Sequence, residues 1–251
     1  MKKNVYFLLA HQDDEIGIFQ SIINENRNNR IFIIYLTKGG KTKNEMLVRN
    51  KESFNGLCNL GIDKKNIFFI NDIINVEEIK LVFKIKNVIK ILKKKFFQTN
   101  SPHIIYSHAW EGGHPDHDSA FLISNYFFKK LDLKFFAFPL YNCENLKWPL
   151  FKAFKPIKNN GKIIKKKYSN NDYYRFLKCM MCYRSQFKSL IGLYPFLILR
   201  IFLLRSYYLQ VTHKIKKISK PHKKVIMYEQ RKFMTWKKFE SIIKKTKIIT
   251  L

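Results

Sequence analysis

Short apolar runs alternate with longer amphipathic stretches over the first two thirds of the chain. Residues 5–10, 31–37, 66–70, 103–107 and 135–139 are brief and continuously apolar. That pattern predicts strands buried on both faces. Residues 14–24, 44–60 and 76–97 are long enough for helices. In the last of these, Ile79, Val82, Phe83, Ile85, Val88, Ile89 and Leu92 form an apolar face with lysines between. Strands alternating with helices predict an α/β fold, a Rossmann-like and mostly parallel sheet flanked by helices.

After about Trp148 the pattern changes. Residues 151–157 and 162–168 flank Lys158-Asn159-Asn160-Gly161, and an Asn-Gly turn predicts a hairpin there. Helices are expected over 172–188 and 194–210, a basic loop over 214–224, and a last short strand over 225–228. No internal repeat or long linker interrupts residues 1–251. The expectation is one domain, with residues from about 149 onward a C-terminal helical and hairpin elaboration of it.

Two apolar stretches bear on targeting. Residues 5–10 follow Met1-Lys2-Lys3 but run straight into His11-Gln12-Asp13-Asp14-Glu15. They are too short for a signal peptide and lack a cleavage site, so a buried first strand and a cytoplasmic location are expected. Residues 189–204 are interrupted by Arg200 and followed by Arg205. A membrane span needs about 20 largely uncharged residues. This stretch predicts either a buried helix pair or an in-plane amphipathic segment on a membrane surface.

Composition excludes several classes. The 251 residues are 46% hydrophobic, with 9 Gly, 7 Pro and 4 Cys; disordered and disulfide-scaffold classes do not fit. Charge is the outlier, with 48 Lys+Arg against 18 Asp+Glu and a formal net charge of +30. The excess of Lys, Ile and Asn fits compositional drift. It fits equally an electrostatic preference for an acidic partner: a phosphorylated substrate, an anionic membrane surface or nucleic acid. Lysine rather than arginine argues against base recognition.

The candidate chemistry sits in two clusters. Ala10-His11-Gln12-Asp13-Asp14-Glu15 follows the first expected strand. Glu111-Gly112-Gly113-His114-Pro115-Asp116-His117-Asp118 follows the fourth. Both fall at carboxyl ends of parallel strands, where open α/β sheets bind ligands. Imidazoles and carboxylates from two loops can supply three metal ligands, and a spare carboxylate can act as a general base. Gly112-Gly113 allows backbone to approach a substrate closely. Alone, the first cluster is an ordinary acidic helix start and the second an ordinary turn. Together, behind two apolar strands, they point to a metal site.

These residues resemble the PIG-L/LmbE-like zinc-dependent N-deacetylases. That family's motifs are Ala-His-Pro/Gln-Asp-Asp-Glu and His-Pro-Asp-His. Thr37 with Gly39 and Gly40, Arg49 with Glu52, and Lys178 with Tyr183-Arg184-Ser185-Gln186 agree as well. The resemblance spans roughly residues 4–190. It implies a hydrolase of N-acyl amino sugars. It implies His11, Asp14 and His117 as ligands of Zn²⁺, with Fe²⁺ or Co²⁺ as alternatives. It further implies Asp13 as general base, His114 as oxyanion stabiliser or acid, Asp116 as the residue orienting His114, and Arg49 as a substrate contact. A protonated His114 would serve best, and an adjacent Asp116 would favour that state. Where the family has a Gly pair after the first motif, this chain reads Gly17-Ile18-Phe19-Gln20-Ser21.

Other residues carry weaker signals. Trp110, Glu111 and Gly113 adjoin the second motif and are expected to line a pocket, and His108 is a further candidate. Tyr141 and Trp148 are expected to pack in the core. Cys179-Met180-Met181-Cys182 is a lone C-x-x-C, expected as reduced thiols; Cys58 and Cys143 are expected in the core. His213 and His222 are expected in solvent. Three function classes follow. One is a deacetylase acting on a glycoconjugate or carrier-linked sugar in surface-glycan biosynthesis. Another is a non-catalytic basic module binding membrane or nucleic acid, although no nucleic-acid motif is present. The third is an enzyme held at a membrane by residues 190–224.

Overall fold

The computed structural model describes residues 2–98, 103–131, 133–212 and 217–248. Strands form where the apolar runs lie. β1 (Asn4–Leu9), β2 (Arg30–Tyr35), β3 (Ile67–Phe69), β4 (His103–His108) and β5 (Lys134–Phe138) pair in parallel, in the order β3-β2-β1-β4-β5. Alternate residues of β1 enter different cores. Tyr6 and Leu8 pack on one side of the sheet; Val5, Phe7 and Leu9 pack on the other. Burial on both faces is why these strands read as unbroken apolar runs.

Helices α1 (Phe19–Asn28) and α2 (Lys43–Asn59) supply Phe19, Ile22 and Leu57 to the second core. α3 (Leu81–Lys95) and α4 (Pro115–Lys130) supply Val82, Ile85, Phe121 and Phe127 to the first. From β1 the chain winds outward to β2 and β3, then crosses back to begin β4 on the other flank of β1. The strand order reverses between β1 and β4, and the loops leaving these two strands diverge around a crevice.

The second motif opens α4, a helix the apolar pattern does not announce. His114 is its N-cap, with Nδ1 accepting from the Asp116 N–H at 3.2 Å. Pro115 follows at the first helical position and Asp116 and Asp118 fill the first turn. Proline and carboxylates both suit a helix start.

The C-terminal third departs from expectation. Residues 151–157 and 162–168 do not form a hairpin. β6 (Tyr141–Asn142) instead pairs with β7 (Lys152–Ala153), and Phe154 and Ile157 turn into buried positions. β8 (Lys162–Lys167) pairs with β9 (Ser206–Val211), which pairs antiparallel with β5. The sheet thus has seven strands among the described residues, ordered β3-β2-β1-β4-β5-β9-β8. The expected helix over 172–188 divides into α5 (Tyr173–Met180) and the short α6 (Phe187–Leu190). The one expected over 194–210 is α7 (Tyr194–Ile198) and a wide helical turn, Leu199–Leu204. Arg205, at φ 46, ends that turn before β9 begins. Residues 225–228 form no strand; Met227–Gln230 is the helical turn α8, and α9 (Trp236–Thr246) packs beside α3.

Candidate active site

A cleft of about 600 Å³ opens at the carboxyl ends of β1 and β4. His11, Asp13 and Asp14 reach it from the loop after β1, and His114 and His117 from the start of α4. Arg49 enters from α2, and Tyr141, Trp148, Tyr194 and Arg231 from the later chain.

Three side chains meet at its buried end. His117 Nε2 lies 3.3 Å from His11 Nδ1 and 3.3 Å from Asp14 Oδ1, and His11 Nδ1 lies 3.7 Å from Asp14 Oδ2. A tetrahedral ion bound at about 2.0–2.1 Å separates its ligand atoms by roughly 3.3–3.4 Å. The two 3.3 Å separations from His117 Nε2 match that spacing, and imidazole with carboxylate is a donor set that fits a divalent metal. His114 and His108 each have a ring nitrogen close to the group as well.

Outer contacts decide which atoms face inward. His11 Nε2 lies 3.1 Å from Asp116 Oδ2, which leaves Nδ1 to the centre. Asp14 Oδ2 accepts from the His11 N–H at 2.6 Å and lies 3.1 Å from His108 Nε2, which leaves Oδ1 toward His117. His108 is fully buried and stacks on His117, with ring centroids 4.0 Å apart. It stands behind the cluster rather than in the cleft. A carboxylate or imidazole behind a ligand fixes that ligand's orientation and its tautomer.

Burial and neighbouring charge pull against each other at this centre. Burial alone would lower the His11 imidazole, but the hydrogen bond to Asp116 and the charge of Asp14 outweigh it and lift it to about 9. Burial would raise Asp14, but His108 and His117 hold it well below the usual carboxylate range. Burial and the neighbouring His108 push His117 down to about 3. Burial, with His11 and His117 close by, holds His114 well below an ordinary imidazole. Burial lifts Asp13 to about 7 against the opposing pull of Arg49, whose Nη2 lies 3.4 Å from Asp13 Oδ2.

The supporting motifs close around this centre. The Arg49 guanidinium donates to the carbonyls of Gly39 and Gln12. Gly39 sits at φ +65, and a Cβ there would strike the Gln12 side chain. The Thr37 hydroxyl donates to the Ala10 carbonyl at 2.7 Å. The Glu52 carboxylate accepts from the Ser185 N–H at 2.8 Å and from its hydroxyl at 2.6 Å. The Tyr183 and Tyr35 hydroxyls both donate to Glu15. The Tyr-x-Ser-Gln segment is thus tied to the first motif and to α2.

Several expected positions differ. The Asp116 carboxylate does not hold the His114 ring: its Oδ2 is 3.9 Å from His114 Nδ1, and instead it meets His11 and accepts from the Ile79 and Leu81 N–H groups. Trp110 does not line the cleft. Its ring packs against Phe121, Trp236 and Phe239, and its indole donates to the Ser219 carbonyl. Glu111 is buried behind the cleft, accepting from Leu140 N–H at 2.8 Å and Tyr141 N–H at 3.1 Å. Gly113 lies against the Tyr141 carbonyl, where a Cβ would come within 2.1 Å, so its close approach is to β6 and not to a substrate. Tyr141 and Trp148 line the cleft instead of packing in the core.

Cys58 is exposed, Cys143 and Cys179 are buried and Cys182 is half-buried; all four are free thiols. His222 is half-buried rather than solvated, and His213 lies outside the described residues. Gly17 lines the cleft against Leu140, which a Cβ would strike. Arg231, Tyr194, Trp148 and Tyr141 carry no local motif; only the tertiary fold brings them to the cleft.

The fold and the site define an α/β protein with a histidine–aspartate constellation, fit for a metal, at the switch point of its sheet. Residues 6–125 match the model of the family described as PIG-L: GlcNAc-PI de-N-acetylase. Among solved structures, the A40926 pseudoaglycone deacetylase is similar at TM-score 0.59 and 12% identity, over 85% of this chain and 98% of that one. A deacetylase of teicoplanin biosynthesis is similar at TM-score 0.60 and 12% identity, over 82% and 96%. A zinc-inhibited form of teicoplanin deacetylase is similar at TM-score 0.58 and 12% identity, over 82% and 97%. At this identity the likeness is one of fold. No curated protein matches the chain.

Proposed function

We propose that the chain is a divalent-metal-dependent N-deacetylase of an N-acetylated amino sugar borne on a glycoconjugate or other carrier, with zinc as its ion. The carrying observation is the buried cluster of His11, Asp14 and His117, in which His117 Nε2 lies 3.3 Å from both His11 Nδ1 and Asp14 Oδ1, beside a second carboxylate in an open cleft. The family description and the deacetylases of similar fold support the reaction class. The binding-module alternative is disfavoured because this constellation is intact.

His11, Asp14 and His117 would hold the ion, which supplies Lewis acidity to a water and to the acyl carbonyl. Asp13 lies beside Arg49 at the cleft wall, and its raised carboxyl is suited to take a proton near neutral pH. His114 acts as a neutral donor rather than as an imidazolium. Its Nδ1 accepts from the Asp116 N–H, so the ring proton resides on Nε2. A donor aimed at the developing oxyanion is worth on the order of 10²–10³ in rate. Asp13, once protonated, can return its proton to the departing amine. Tyr141 and Trp148, which line the cleft, give the sugar aromatic surface to pack against.

The test is acetate release from free, nucleotide-linked, glycosidic and lipid-linked N-acetyl sugars. Asp13→Asn should lower turnover by about 10²–10⁴ while metal binding persists. Turnover unchanged in this variant would refute the assigned base.

A further inference from the structure

The segment over residues 187–204 exposes large apolar side chains that the expected packing does not cover. Leu203 is 74% exposed, Ile191 55%, Leu204 53% and Ile198 48%. A buried helix pair would have covered them. The patch is continuous with the cleft mouth. Ile191 and Tyr194 line the cleft, and the Phe196 ring lies 5.7 Å from Phe151 on its wall. Apolar surface gathered in this way on a protein exterior marks an interaction face.

Charge identifies the partner. No Asp or Glu occurs between Asp172 and Glu229. Arg184, Lys188 and Arg205 are exposed along the segment, whereas Arg200 is buried with its guanidinium over Tyr208. A two-fold contact with a second copy would set these cations against their own equivalents. An anionic lipid surface pairs with both features, taking the leucines into its interface and the cations among its headgroups. Among the described residues no helix is long and apolar enough to cross a membrane, so the fit is in-plane.

We propose that the surface formed by residues 187–204 docks onto an anionic bilayer and seats the cleft mouth at the lipid face. β9, which follows, lies within the main sheet and takes no part. The docking stands independently of the deacetylase reading; joined to it, the acetylated sugar would be reached on a lipid carrier.

The experiment is sedimentation of the full chain with phosphatidylglycerol or phosphatidylcholine vesicles at low and high salt, with light scattering of the protein alone. Binding to phosphatidylglycerol only, weakened by salt, is expected. The double variant Leu203→Ser, Leu204→Ser should partition about tenfold less or weaker still, with an unchanged thermal midpoint and unchanged acetate release from a water-soluble sugar. Absent or lipid-independent binding, wild-type binding by the double variant, or a dimer that this variant dissociates would overturn the proposal.

Discussion

Asp116 Oδ2 serves two donors, the Ile79 N–H at 2.6 Å and His11 Nε2 at 3.1 Å. Ile79 aims its N–H from φ +68, a left-handed conformation that a β-branched residue adopts only under strain. Asp116 would therefore act as a positioning residue for His11. Asp116→Asn should weaken metal binding by about 10–100-fold, read by competition with a chelating dye. Unchanged affinity would sever Asp116 from the metal. The two motifs could be placed together from sequence because each comes soon after a buried strand; the choice of His11, Asp14 and His117 within them came from the family resemblance. The partner of Asp116 could not, because its direction depends on the N-cap geometry that turns His114 Nδ1 onto the backbone. Trp110 and Glu111 show the same limit. Adjacency to a motif does not say which way a side chain points when the intervening loop folds back on β6 and α9.

Glu111 ties the loop after β4 to the segment entering β6, and its protonation makes this junction sensitive to pH. Burial pushes its carboxyl from 4.5 up to about 8, although Leu140, Tyr141 and Asn142 donate to it. The folded chain therefore retains a proton that the unfolded chain releases above about 4.5. The stabilisation is complete below that value and is lost as pH rises through about 8. Glu111→Gln should flatten the fall in thermal midpoint between pH 5 and pH 8, both bounds approximate. An equally steep fall in the variant would show that other groups carry it. The elements were legible where burial dictates composition. β1 to β5 are apolar because both faces are covered, and α3 shows its one buried face. The failures are equally physical. α4 is buried along most of its length, with Ser119, Ser124 and Asn125 inside, so no amphipathic stripe marks it. The Asn-Gly signal was genuine as a turn, but β8 follows it and pairs with the distant β9. A local turn signal does not name the partner strand.

At the scale of the molecule, the centre joins the loop after β1 to the start of α4 across the switch point. An ion held there binds the folded chain and not the unfolded one, so it should raise stability by about 2.7 kcal/mol at a hundredfold excess over Kd. For a chain of this size that is a rise of roughly 5–10 °C in thermal midpoint, absent in His117→Ala. The doubly wound core was legible in the sequence; the closing of the cleft by Trp148, Tyr194 and Arg231 was not, because these residues converge from loops far apart in the chain. Residues 173–228 contribute 12 of the net +30, with no acidic side chain among them. The most direct test of the central claim is to titrate the metal-free protein with Zn²⁺ while measuring bound ion and acetate release together. One ion per chain is expected, with acetate release rising in step with occupancy, and neither in His117→Ala. Full acetate release from the metal-free protein, or from His117→Ala without bound ion, would contradict it.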